Sequence, residues 1–167
     1  MKAKLQFDFL VDKDNSTLTI RREFAAPRQL VWDCHTRHEL LEQWFAPKPF
    51  TARTRSMDFR EGGHWHYAMV DPEGKEYWGY TEYVSISPID GYVSLDGFSD
   101  ASGALNPDLP RARWDVTFTE SAGRSLVQTI VAYDSLADLE TVLQMGMQEG
   151  LTATLEQLDA LLPTLDT

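Results

Sequence analysis

Two periods divide the chain. Up to Tyr133 the apolar residues recur at every second position, in short runs broken by turn residues; from Ser135 onward they recur every three or four. The first period predicts strands over residues 5–11, 17–24, 50–59, 63–70, 76–87, 92–98, 113–119 and 125–133. In the fourth of these, Trp65, Tyr67 and Met69 fall on one face, and His64, His66 and Ala68 on the other. Turn chemistry punctuates the runs: a polar cluster at 12–16, Glu61-Gly62-Gly63, Asp71-Pro72-Glu73-Gly74, Pro88 to Gly91, and the turn at 120–123. The first two strands are predicted to form a hairpin, or else the first is an added edge strand. The longest loop signal is 99–110.

Two short helices interrupt the strands after Phe24. Pro27 sits where a helix can begin, because its missing N–H is not needed there. Leu30, Val31 and Cys34 then share a face. Thr36-x-x-Glu39 has the form of a capping box, and Leu40, Leu41 and Trp44 follow at helical spacing. Pro47 and Pro49 stop that helix. At the other end, Ser135 can cap a helix that Asp138 favours. Leu136, Leu139, Leu143, Met147, Leu151, Leu155, Leu158 and Leu161 make its apolar stripe, and Pro163 marks its end. At about 1.5 Å per residue this predicts one continuous helix of roughly 40 Å.

The elements read as strands, two small helices, about six further antiparallel strands and one long helix. An antiparallel sheet with one apolar face must cover that face, and only the terminal helix is long enough. The expected fold is α+β in a single domain of 167 residues, a curved antiparallel sheet gripping the helix. The net charge of −11 argues against nucleic-acid backbones and anionic membrane surfaces as partners. No run approaches the ~18 apolar residues of a membrane span. The first residues carry acidic groups where a signal peptide needs an apolar core. Cys34 is the single cysteine, so no internal disulfide can form, and a cytoplasmic location is expected.

Several stretches carry a resemblance. They are TLTIRREFAAPRQLVWDCHT, LLEQWFAPKPF, MDFREGGHWHYAM, PEGKEYWG and the terminal segment from Asp134 to Leu162. Together they resemble the activator of heat-shock-protein-90 ATPase homologue family, within the SRPBCC superfamily of START-type lipid-transfer and birch-pollen-allergen-like domains. The resemblance implies a helix-grip fold with a cavity between sheet and helix. The superfold hosts transport, sensing, cyclisation and co-chaperone roles, so the likeness predicts a place for a ligand more than a chemistry. The eukaryotic co-chaperone has an additional amino-terminal domain, which this chain is not expected to contain.

The aromatic residues are numerous for the size. Trp44 and Phe45 are expected at the cavity mouth. Met57, Phe59, Trp65, Tyr67 and Met69 are expected in its wall, with Trp78, Tyr80 and Trp114 from later strands. Met145, Met147 and Leu151 would face them from the helix, where Gly146 and Gly150 leave room at about 1 kcal/mol each. Filling of an ordinary core is the alternative use of the same residues. His64 and His66 have a spacing found in metal sites, but a third ligand is not evident and both point away from the aromatics. Cys34 reads as a buried structural thiol, and Asp58 and Glu61 as solvated turn charges. No catalytic residue, metal or cofactor is expected. The favoured function is binding or carriage of a small hydrophobic ligand. Two others compete with it. One is a cyclase-type enzyme using Tyr80 or Glu82; the other is a chaperone-interacting protein with an apolar patch at 45–50. A homodimer is a further candidate partner arrangement.

Overall fold

A computed structural model of the chain describes residues 5–165. Eight strands form one sheet in the order β1-β2-β8-β7-β6-β5-β4-β3. They are β1 (Phe7–Asp12), β2 (Thr17–Phe24), β3 (Thr51–Asp58), β4 (His64–Val70), β5 (Glu76–Ser87), β6 (Gly91–Ser99), β7 (Ala112–Ser121) and β8 (Arg124–Tyr133). Every pairing is antiparallel. β1 and β2 do form the hairpin, from Phe7 opposite Arg22 to Asp12 opposite Thr17, and β1 is also a sheet edge. The chain then crosses from β2 to the opposite edge at β3. That crossing carries α1 (Arg28–Thr36) and α2 (His38–Leu41).

Alternation sets the two faces. In β2, Leu18, Ile20, Arg22 and Phe24 are buried while the residues between them are half-exposed. The same inner face receives Trp65 from β4, Tyr83 from β5, Val116 and Phe118 from β7, and Val127 and Val131 from β8. β3 and β5 each carry an irregularity, between Thr54 and Ser56 and between Tyr83 and Ser85. An extra residue in one strand bends it and increases its twist, which suits a sheet that must curl.

The terminal helix is not continuous. α3 (Leu136–Gln144) ends at Met145, Gly146 takes a left-handed φ of 88°, and α4 (Met147–Leu161) begins directly after it. Gly146 donates its N–H to the Leu143 carbonyl, the closure expected of a helix that stops on glycine. The apolar period runs straight through the break because both pieces turn the same side to the sheet: Leu139 and Val142 before it, Leu155 and Leu158 after it are buried. The helix start is as expected, with the Ser135 hydroxyl accepting from Asp138 N–H at 3.1 Å. A 3-10 turn at Leu162–Thr164 contains Pro163.

The capping box is a second departure. Thr36 belongs to α1, where its hydroxyl donates to the Trp32 carbonyl at 2.9 Å, and Glu39 accepts instead from the Arg37 side chain. Arg37, in extended backbone, separates the two helices. α2 is therefore one turn long, and Trp44 follows it in a turn.

Candidate functional site

The concave face is packed solid at one end and hollow at the other. At the packed end Trp32 of α1 meets Phe118 at 5.2 Å, Phe59 at 5.8 Å and Tyr92 at 6.0 Å, all edge-on. Phe59 in turn lies 4.7 Å from Tyr83. Edge-to-face contacts of this kind add to the area they bury. His35 joins the same group, 5.1 Å from Phe118, and donates from Nδ1 to the Val31 carbonyl at 2.8 Å. Burial pushes its pKa down to about 4, so it is neutral there. Cys34 is fully buried beside it, and desolvation raises its thiol to about 11.

At the other end a cavity of about 340 Å³ lies between β4–β8 and the break between α3 and α4. That volume falls within the usual range for small-molecule sites. Tyr67, Met69, Trp114 and Tyr133 reach it from the strands, and Met145, Met147 and Leu151 from the helices. Glycines stand at two points of its wall, one covered by a ring and one facing open space. Gly79 lies opposite Tyr67, and a Cβ there would come within 2.6 Å of the Tyr67 ring. Gly150 meets nothing nearer than Pro47, at 4.0 Å. A smaller chamber of about 70 Å³ continues inward, bounded by Trp44, Trp65, Tyr83, Ser94 and Arg22. Phe45, Asp96, Trp114 and Leu151 border both spaces.

Asp96 is the group that sequence reasoning missed. On β6 it faces inward opposite Thr81, and Ser94 Oγ donates to its Oδ1 at 3.0 Å. It is half-buried and lines both chambers. Burial pushes its carboxyl up to about 7, against the hydrogen bonds of Ser94 and Thr81 and the charge of Arg111, which lower it. Tyr67, Tyr92 and Tyr133 are each raised by burial first and by the Asp96 charge second. The Tyr133 hydroxyl donates to Met147 Sδ at 3.4 Å. Among the 21 residues lining the larger cavity, Asp96 alone carries a formal charge.

A glutamine holds the third side of the wall. Gln157 of α4 donates to the carbonyls of Trp44 at 3.0 Å and Ala46 at 2.8 Å, and accepts from Lys48 N–H at 2.9 Å. This fixes the turn after α2 against α4, with Phe45 and Pro47 at the cavity. Trp44 itself is only 3% exposed and donates Nε1–H to the Cys34 carbonyl at 2.9 Å.

The chain matches the family model described as "Activator of Hsp90 ATPase homolog 1-like protein" over residues 25–163. It belongs to that family. Its fold recurs in a crystal structure of protein Ms6760 from Mycobacterium smegmatis, 35% identical, with a TM-score of 0.87, covering 98% of this chain and 100% of that one. A solution structure of a protein from Arthrobacter aurescens is 27% identical, with a TM-score of 0.89 over 96% of this chain and 93% of that one. One from Staphylococcus epidermidis is 26% identical, with a TM-score of 0.81 over 94% and 96%. No curated protein matches the sequence. Membership in the activator-homologue family fixes the helix-grip architecture and leaves the ligand and any chemistry to be argued from these residues.

For this family member, the expected wall residues separate into three groups. Phe45, Tyr67, Met69, Trp114, Met145, Met147 and Leu151 line the larger cavity, and Trp65 and Trp44 the smaller one. Trp44 is inside, not at the mouth, and Phe45 packs on Trp65 at 5.0 Å and Tyr67 at 5.5 Å instead of lying in an exposed patch. Met57 and Phe59 are on the inner side but outside the cavity wall, Phe59 within the packed cluster. Tyr80 lies on the opposite face. It pairs with His66 across the strands, and its ring stacks 5.5 Å from His64. Trp78 borders the cavity, but its ring sits 4.8 Å from His66 on that outer face. Glu82 is also outside, accepting from Arg111 at 2.8 Å. β5 carries large side chains on both faces, so its alternation alone did not say which set was inward.

The outward histidines are engaged locally: His64 with Ser56 Oγ at 2.7 Å and His66 with the Asp100 carbonyl at 2.9 Å. Among the described residues no group of three His, Cys, Asp or Glu side chains could hold a metal, and no helix is long and apolar enough to cross a membrane.

Proposed function

We propose that this domain binds and carries a small, mainly apolar molecule in the cavity between β4–β8 and the α3–α4 break. The observation that carries the reading is the cavity itself: about 340 Å³ of space walled by aromatic and methionine side chains. A folded core normally closes such space, because unfilled volume forfeits packing energy. Here the glycine at 150, which faces open space, and a left-handed glycine at 146 support keeping it. The enzyme alternative loses the two groups suggested for it, since Tyr80 and Glu82 lie on the other side of the sheet. The chaperone alternative loses one end of its patch, since Phe45 packs inside. The reduced, buried Cys34 is in keeping with work in the cytoplasm.

Titration with the neutral fluorophore N-phenyl-1-naphthylamine tests the reading. One molecule per chain is expected to bind, with emission enhanced and Trp114 fluorescence quenched. Gly150→Phe, which places a ring in the open space before Pro47, is expected to abolish binding while the fold survives by circular dichroism. Unchanged emission with the wild-type protein, or undiminished binding in Gly150→Phe, would contradict it.

A further inference from the structure

The cavity wall is chemically one-sided. It presents rings from Phe45, Tyr67, Phe98, Trp114 and Tyr133 and a single formal charge, the Asp96 carboxylate. Ring faces carry the negative end of a quadrupole and attract cations, Trp most strongly. A carboxylate withdrawn from solvent is costly unless a positive partner reaches it. Two basic residues lie nearby, each reaching a partner on another side while its Nε is buried without one. Arg111 is paired with Glu82 at 2.8 Å. Arg22, in the small chamber, donates to the Glu23 carbonyl and lies 3.8 Å from Asp159. Its guanidinium also lies 5.6 Å from the Phe7 ring and 5.1 Å from that of Phe24. Among the described residues the larger cavity has no Lys or Arg to receive the carboxylate of a fatty or aromatic acid. The chain's net charge of −11 adds long-range attraction for cations.

We propose that the occupant is a hydrophobic organic amine, its ammonium seated on Asp96 beside Tyr67 and Trp114 and its apolar body extending toward Met147 and Leu151. The assignment rests on the ligand-binding reading above and names the class of ligand for that site. Ser94 and Thr81 hold the carboxylate in place, and the break after α3 leaves the apolar end room.

Three matched probes test it: 2-(2-naphthyl)ethylamine, 2-(2-naphthyl)ethanol and 2-naphthylacetic acid, titrated calorimetrically at pH 8. The amine is expected to bind at least about tenfold more tightly than the alcohol, as for one charge-assisted hydrogen bond, with the acid weakest. In Asp96→Asn the amine should fall to the level of the alcohol. A second arm needs no variant. The ionisable groups facing Asp96 are the Tyr67 phenol from β4, Tyr83 from β5, Tyr92 from β6, Tyr133 from β8 and the Arg111 cation ahead of β7. The small chamber adds Arg22 from β2 and the neutral His35 from α1, and α4 contributes uncharged Leu151 and Thr154. All four phenols are shifted upward, so Asp96 is the group that titrates near neutrality. Amine affinity is expected to rise up to about tenfold from pH 6 to pH 8 while alcohol affinity does not. Equal affinity for all three probes, preference for the acid, or an alcohol preferred with affinity falling as pH rises would each overturn the amine assignment and leave the carrier reading standing. Failure of all three together with the neutral fluorophore would overturn both.

Discussion

The two ends of the concave face are built from the same materials and finish differently. Under α1, Trp32, Phe59, Tyr92 and Phe118 interlock edge-to-face, and of the four only Tyr92 lines the chamber of about 70 Å³. Under the α3–α4 break, Tyr67, Trp114 and Tyr133 line a space that nothing in the described residues fills. The difference lies less in the aromatics than in what stands opposite them. At the packed end a helix buried almost all round, with Leu30, Val31, Trp32 and Cys34 inside, presses onto the strands. At the open end the facing positions are Gly146, Gly150 and flexible methionines. One end supplies stability, and the other gives part of it up for a cavity.

The largest effect expected from that contrast is on stability. Trp32→Ala should cost about 3–5 kcal/mol, as for a large aromatic deleted from a close-packed core. Met145→Ala, at a residue 54% exposed on the cavity rim, should stay within about 0.5 kcal/mol. Urea unfolding of the two variants checks this; similar losses would erase the distinction.

Titration should separate the ends in sign. His35 is depressed from 6.5 to about 4 in the folded chain. The unfolded chain then takes up that proton first, and stability is lost as pH falls from 6.5 to about 4, by up to about 3 kcal/mol. Asp96 is raised from 3.8 to about 7. The folded chain holds that proton more tightly, so stability is lost as pH rises through the same window and up to about 7. Because the carboxyl borders a cavity, the amount is on the order of 2 kcal/mol. Unfolding curves from pH 4 to 8 should show the acid limb flatten in His35→Gln. Asp96→Asn should be more stable than wild type at pH 8 and no different at pH 4.

The smallest effects concern the two helix glycines, with opposite signs. Gly150 lies within α4 and faces open space, so Gly150→Ala should stabilise by about 0.5–1 kcal/mol. Gly146 has a φ of 88°, and Gly146→Ala should destabilise by about 1 kcal/mol. Thermal melts of both decide whether the break is held by the backbone or by packing alone.

Much of this fold is legible in the sequence because its determinants are local. Alternation in 17–24 and 63–70 sets their inward faces, and the turns at Gly62, Gly74 and Gly123 separate the strands. The helix break was hidden because Leu139, Val142, Leu155 and Leu158 keep one face across it. The available signal was Gly146 itself, a residue that ends helices as readily as it is tolerated within them. Tyr80 is not legible as an outward residue because strand register is a long-range property, fixed only when His66 pairs with Tyr80. Asp96 was missed for a related reason. In Tyr92-x-Ser94-x-Asp96-x-Phe98 it is the acidic member of an otherwise inward set, and an aspartate in a strand ordinarily reads as outward.

The most direct test of the account is a side-chain NMR titration with 2-(2-naphthyl)ethylamine, following aromatic and methyl resonances at both ends of the face. The account predicts shifts at Tyr67, Trp114, Met147 and Leu151, with Trp32, Phe59 and Phe118 unmoved. Shifts centred on the Trp32 cluster or on the outer Tyr80 and His66 face, or none at any of these residues at saturating probe, would contradict it.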